Sequence, residues 1–115
     1  MLPPNHRLNQ EKDVSRVLRR GSRISSSNFI FLYLPNNQKS SRFTFLVSKR
    51  VSNKANKRNL IKRRLRHIIG KNLKKIVGGR DCVLIAKKTI LFENYHDLEE
   101  EIKKALFEEP IYKKL

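Results

Sequence analysis

The sequence contains one cysteine, one methionine and no tryptophan in 115 residues. A lone cysteine excludes an intrachain disulfide, and the apolar neighbours of Cys82 point to a buried thiol. Long apolar runs are missing too. The longest, near Phe29 to Leu34, is far too short to span a bilayer. The opening MLPPNHRLNQ is polar and has no signal-peptide core. The expectation is therefore a soluble, cytoplasmic protein with no membrane partner. There is no internal repeat and no long low-complexity linker, so one domain over 1–115 is expected, with short flexible ends at about 1–6 and 109–115.

The most informative absence is that of acids. From Val14 to Arg80 there are nineteen Lys or Arg and no Asp or Glu over 67 residues. The flanks are nearly balanced, so this single block accounts for the net charge of +17. Such a block repels itself and contains no acid that could offer local relief. A polyanion compensates it, since counterions released from the polyanion supply affinity. A merely solvated face gains nothing from excluding acids. Nucleic acid is the strong reading and a membrane surface the weak one.

Hydropathy patterning places the elements. Asn9 can cap a short helix through Arg20, with Val14, Val17 and Leu18 on one side and Gly21 as its stop. GSRISSS is a short edge strand or an extended connection. NFIFLYLP and RFTFLVSKR read as strands, and the turn residues NNQKSS between them predict that the two form a hairpin. A helix is expected over about Lys57 to Val77, its apolar face carrying Ile61, Leu65, Ile68, Ile69, Asn72 and Ile76. After VGGR comes a strand, DCVLIAKK. Asn94 then caps a last helix with Tyr95, Leu98, Ile102, Ala105 and Leu106 inward. Strand, helix, strand over 43–87 forms a βαβ unit with two parallel strands.

The two long helices treat charge in opposite ways. The last has Asp97, Glu99, Glu100 and Glu101 early and Lys103 and Lys104 late, as the helix dipole favours. The other opens with NKRNLIKRRLR, six basic residues in eleven, at an end that is already partly positive. A local rule broken this strongly marks a functional site. On a helical wheel Arg58, Lys62 and Arg66 form one stripe, with Asn59 and Arg63 beside it. Arg64, Lys71 and Lys75 lie on the opposite flank of the apolar face. Two basic flanks around a buried seam suit two phosphate backbones, or one bent one. Four arginines between 58 and 66, against one lysine, favour bidentate phosphate contacts and stacking on bases. Ser48, Lys49 and Arg50 extend this surface, and Lys54 and Lys57 lead into it.

Nothing in the basic block supplies a general base or metal ligands except His67, and His6, His67 and His96 lack ligand spacing. No catalytic residue and no protein-borne metal site is therefore expected. Phe29, Phe31 and Tyr33, then Phe43 and Phe45, recur at every second position and are expected under a helix. The reverse face, with Ile30, Leu32 and Leu34, could form an apolar groove for unstacked bases.

The run from SKR through KANKRNLIKRRLR resembles the signature of the bacterial ribonuclease P protein family, an Arg-Asn-Arg motif opening a basic helix and followed by Ile-Lys-Arg. HRL at 6–8, FIFLYLPN, RFTFLVSKR and VLIAKK extend the likeness over roughly 5–108. The resemblance implies an α+β, single-domain αβββαβα sandwich with a mixed sheet, related to a ribosomal-protein domain, with a left-handed βαβ crossover. It also implies an endoribonuclease component whose partners are a catalytic RNA, bound 1:1 by a monomeric protein, and precursor tRNA. The RNA, with bound Mg2+, removes the 5′ leader. Carried over residue by residue, the RNA-binding set is Arg58, Asn59, Lys62, Arg63, Arg64 and Arg66, with Lys49, Arg50, Lys54 and Lys57. Leu60 stands where the motif's third residue is usually Arg. The leader cleft falls at Val14, Leu18, Ile30 and Leu32, apolar where aromatics are common, and Thr44 replaces a common glycine. The competing classes are a structural ribosomal protein and a self-contained nuclease.

Overall fold

The computed structural model describes residues 2–108. Its elements are α1 (Glu11–Arg20), β1 (Ser22–Ser25), β2 (Phe29–Pro35), β3 (Arg42–Leu46), α2 (Ala55–Asn72), β4 (Arg80–Ala86) and α3 (Tyr95–Glu108). This is the expected αβββαβα order. At the amino-terminal end, read as a loose tail from sequence, Pro4–His6 form a 3-10 turn and Leu2 is buried. The other expected loose end, 109–115, lies outside the described residues.

The sheet runs β1-β2-β4-β3. β3 and β4 are parallel, as the βαβ reading requires. The expected hairpin between β2 and β3 does not form. β4 lies between them, antiparallel to β2, and the hairpin is instead β1–β2. Burial explains the order. β4 buries Asp81 through Leu84 without a break, so it needs cover on both faces and neighbours on both edges. β3 alternates buried Phe43 and Phe45 with half-buried neighbours, and such a strand tolerates an edge.

Alternation along the strands creates two cores. Phe29, Phe31, Phe43, Phe45, Cys82 and Leu84 share one face and pack with Ile61, Leu65, Ile68 and Ile69 of α2 and Leu98, Ile102 and Leu106 of α3. The aromatics are thus core, as expected, and Cys82 is a buried free thiol whose pKa is pushed well up by burial. On the other face Leu32 and Val83 meet Leu8 and Val17 in a smaller cluster beneath α1.

Helix ends depart from expectation for identifiable reasons. α1 is capped at Gln10, not Asn9, and without a side-chain cap bond. The chain at Leu8 is pinned to the sheet edge by its amide donating to Phe43 O at 2.9 Å, which sets where the helix begins. α2 stops at Asn72 rather than Val77. The buried Asn72 Nδ2 donates back to Ile68 O at 2.7 Å and to Glu99 at 3.4 Å, and a 3-10 turn, Leu73–Lys75, then carries Ile76 into the core. Gly79 turns the chain into β4 at φ 84°, a left-handed conformation that suits glycine. At α3, Asn94 does cap the helix, accepting from the Asp97 amide at 2.8 Å.

The acids that obey the dipole rule also hold tertiary structure. The Glu101 carboxylate accepts from the Asn28 amide at 2.9 Å, the Asn28 side chain at 2.6 Å and the Ser26 hydroxyl. It thereby fastens the β1–β2 turn to α3.

Candidate nucleic-acid interface

α2 lies over the sheet with its Ile61, Leu65, Ile68, Ile69 and Asn72 stripe inward, so the residues between these positions flank the seam. On one flank Lys62 and Arg66 line an open groove of about 370 Å³ with Arg7, Asn9, Phe43 and Thr44. The groove exists because the outer edge of β3 is only partly covered, by a single parallel bridge between Arg7 and Phe43. On the other flank Arg63, Arg64, Arg66, His67 and Tyr95 line a second recess of about 430 Å³ where α2 meets the start of α3. Arg66 borders both.

Hydrogen bonding separates the committed cations from the rest. Arg58 Nη1 donates to Ser52 O at 2.9 Å, which fixes the entry to the helix. Lys71, on the predicted outer flank, is paired with Glu99 at 3.1 Å and stands 5.6 Å from the Tyr95 ring centroid. Among the described residues Lys49, Arg50, Lys54, Lys57, Lys62, Arg63, Arg64 and Arg66 have no side-chain acceptor in the protein. Asn59 is exposed among them, and Leu60 is 40% exposed at the position where an arginine is expected. Eight unpaired cations within eighteen residues of chain are a surface awaiting an anion.

The basic block is not wholly without relief, contrary to the reading of the sequence alone. Asp13 and Asp81 flank it in sequence, and the fold returns both to Arg42. The Arg42 guanidinium donates to both Asp81 oxygens at 2.8 and 2.7 Å and reaches Asp13 at 3.5 Å. Arg16 meets Asp13 at 3.1 Å, and Asn36 donates to Asp81 at 2.8 Å. The Asp81 hydrogen bonds hold the pKa of Arg42 above its ordinary value despite partial burial. This network ties α1 to the sheet at the row Leu34–Asp81–Arg42.

Two rows further along, the same face opens. Ile30 pairs with Ile85 and Ile85 with Leu46, and all three are half-buried. This row packs against the small core beneath α1 and leaves an apolar strip partly open on that face of the sheet. Of the residues expected to line a leader cleft, Ile30 belongs to this strip and Val14 packs against the same cluster. Leu18, one turn after Val14 on α1, is 42% exposed. Leu32 is the exception. It is only 6% exposed, covered within the α1 cluster, and offers little surface to a ligand. Leu46, Ile85 and Arg7 were missed by sequence reasoning. The first two needed the β2–β4–β3 register, and Arg7 reaches its groove only through a bridge 36 residues away in sequence.

Fold and charge together define the class: a small basic α+β sandwich whose central helix presents unpaired cations to two grooves, with a half-buried apolar strip on the opposite sheet face. Within that class the comparisons are specific. The ribonuclease P family profile matches residues 2–109, and the chain belongs to that family. It is similar to the ribonuclease P protein component of Streptococcus pneumoniae, 33% identical over 95% of this chain and 88% of that one. It is also similar to that of Caldanaerobacter subterraneus, 29% identical over 92% and 90%. The solved ribonuclease P protein from Thermotoga maritima superposes with a TM-score of 0.82 at 25% identity, covering 90% of this chain and 96% of that one.

Proposed function

We propose that the chain acts as the protein subunit of a bacterial ribonuclease P, binding the catalytic RNA through both flanks of α2 and the 5′ leader of precursor tRNA in the cleft beside α1. The observation that carries this reading is the concentration of eight unpaired cations within eighteen residues of α2 and the loop before it, beside Arg42 and Lys71, which the fold pairs with acids. Arginine forks and lysine point charges there meet phosphates without displacing any protein bond. The half-buried row Ile30–Ile85–Leu46 offers unstacked leader bases an apolar surface, and Lys49, three residues beyond Leu46 in the chain, is a cation for their phosphates.

Magnesium takes oxygen ligands. The exposed face of α2 offers only two neutral side-chain amide oxygens, those of Asn56 and Asn59, and no His, Cys, Asp or Glu group of three is gathered among the described residues. These side chains do not fit a magnesium site of their own. In this reading the ion belongs to RNA phosphates, the hydrolysis to the RNA, and the protein supplies position and charge as a 1:1 cytoplasmic partner. No helix among the described residues is long and apolar enough to cross a membrane.

The leader assignment has its own test. Bound to a bacterial catalytic RNA, the chain is expected to raise affinity for precursor tRNA over mature tRNA. Leu46→Glu places a like charge against leader phosphates on an edge strand, and is expected to lower that preference by about tenfold or more. Affinity for mature tRNA should not change. An unaltered preference in the folded variant removes the leader from this cleft.

A further inference from the structure

The recess where α2 meets α3 has a composition unlike the groove on the other flank. Its rim is three arginines, Arg63, Arg64 and Arg66, none with a protein acceptor among the described residues. Its wall is an aromatic ring. Tyr95 is half-buried, its inner edge packed against the main core. His67 Nδ1 lies 2.7 Å from the Tyr95 hydroxyl, and the two rings sit 5.7 Å apart at 46°. Lys71 stands 5.6 Å from the ring centroid and is itself held by Glu99 at 3.1 Å. The ring is therefore held in place from α2 and α3 before any ligand arrives.

A phosphate alone needs cations and gains nothing from an aromatic wall. An acidic peptide matches the charge but leaves the ring without a planar partner. A nucleotide uses both features, a base against the ring and phosphates on the forks, with arginine planes adding stacking surface. The space of about 430 Å³ is of the size that admits such a group.

We propose that this recess is a stacking site for one unpaired nucleotide of the catalytic RNA, with Tyr95 as the stacking face and Arg63 and Arg64 on the flanking phosphates. The inference rests on the reading that α2 binds that RNA, and adds that the outer flank recognises an unstacked base and not only backbone charge. His67 and Lys71 are positioning residues for the ring.

The absence of tryptophan supplies a clean probe. Tyr95→Trp installs the chain's sole indole, and its emission is expected to be quenched as catalytic RNA saturates the protein. Heparin, a polyanion without bases, should bind the same cations and leave emission unchanged. Tyr95→Leu, which keeps apolar bulk at the core edge, is expected to weaken binding of the catalytic RNA roughly 5- to 150-fold with an unaltered salt slope. Tyr95→Phe, which keeps the ring, should bind as the natural chain does. Saturation by RNA without quenching overturns the proposal. So does a folded Tyr95→Leu of undiminished affinity, and quenching by polyglutamate would reassign the recess to an acidic polypeptide. In each of these cases RNA binding by the natural chain persists. Its failure to bind catalytic RNA at all is a separate result, and would sink the functional reading along with the site.

Discussion

Arg42→Ala is expected to destabilise the protein by about 3 kcal/mol, at the low end of the range for breaking a buried pair. The cause is what the substitution leaves behind. Asp81 is 3% exposed and Asp13 is 9% exposed, and both face Arg42. Removing the guanidinium strands one carboxylate in the sheet and weakens the hold on another in α1. Water reaches the site in part, since the Arg42 side chain is 17% exposed, which argues against the upper end of the range. For a chain of this size the loss corresponds to a fall in Tm of about 12 °C. The double variant Arg42→Met with Asp81→Asn should recover part of that loss, because neither buried charge of the bidentate pair remains. Thermal melting of the natural chain, Arg42→Ala and the double variant checks this. A single Arg42→Ala variant that melts with the natural chain would show that the network is not holding α1.

The second large effect is on RNA affinity. With eight cations free on and before α2, raising monovalent salt from about 50 to 200 mM is expected to weaken binding of the catalytic RNA by roughly 10³- to 10⁵-fold, as for a protein making 6–10 phosphate contacts. Arg63→Ala should flatten the log–log slope by about 0.7–0.9 unit. Lys71→Ala should leave the slope nearly unchanged, because Lys71 is already paired with Glu99. The contrast matters more than either value. Both residues are basic, both lie on α2, and only the geometry distinguishes them. Equal losses of slope from the two variants would mean that protein-internal pairing does not decide which cations meet RNA.

The contrast also indicates what a sequence of this kind discloses. The inward stripe of α2 and the buried aromatics of β2 and β3 were legible because side-chain periodicity is a local property of each element. The basic flanks were legible for the same reason. Strand pairing was not. Proximity in the chain suggested that β2 pairs with β3, whereas β4 lies between them because it is apolar on both faces. That error hid the apolar strip beside α1, since Ile30, Ile85 and Leu46 become neighbours only in the observed register. The family resemblance placed Leu32 among the leader-contacting residues, whereas it is buried in the cluster beneath α1.

Long-range electrostatics was the other blind spot. The block from Val14 to Arg80 holds no acid. Arg42, near its middle, is nonetheless neutralised by Asp81, the first residue beyond the block, and by Asp13, the last residue before it. Tyr95 read as an inner residue of α3, and only its contact with His67 across 28 positions reveals its place in a cation-rimmed recess. Leu60 remains the exposed residue that does not match the basic surface around it, and nothing in the structure explains it.

The most direct measurement is cleavage of precursor tRNA by a bacterial ribonuclease P RNA as magnesium is lowered, with and without this protein. The account predicts that the protein restores 5′-leader removal at magnesium concentrations where the RNA alone is inactive, and that the protein alone cleaves nothing at any concentration. Tight binding to a closely matched RNA with no recovery of cleavage, or cleavage that survives removal of all RNA subunit, would contradict it.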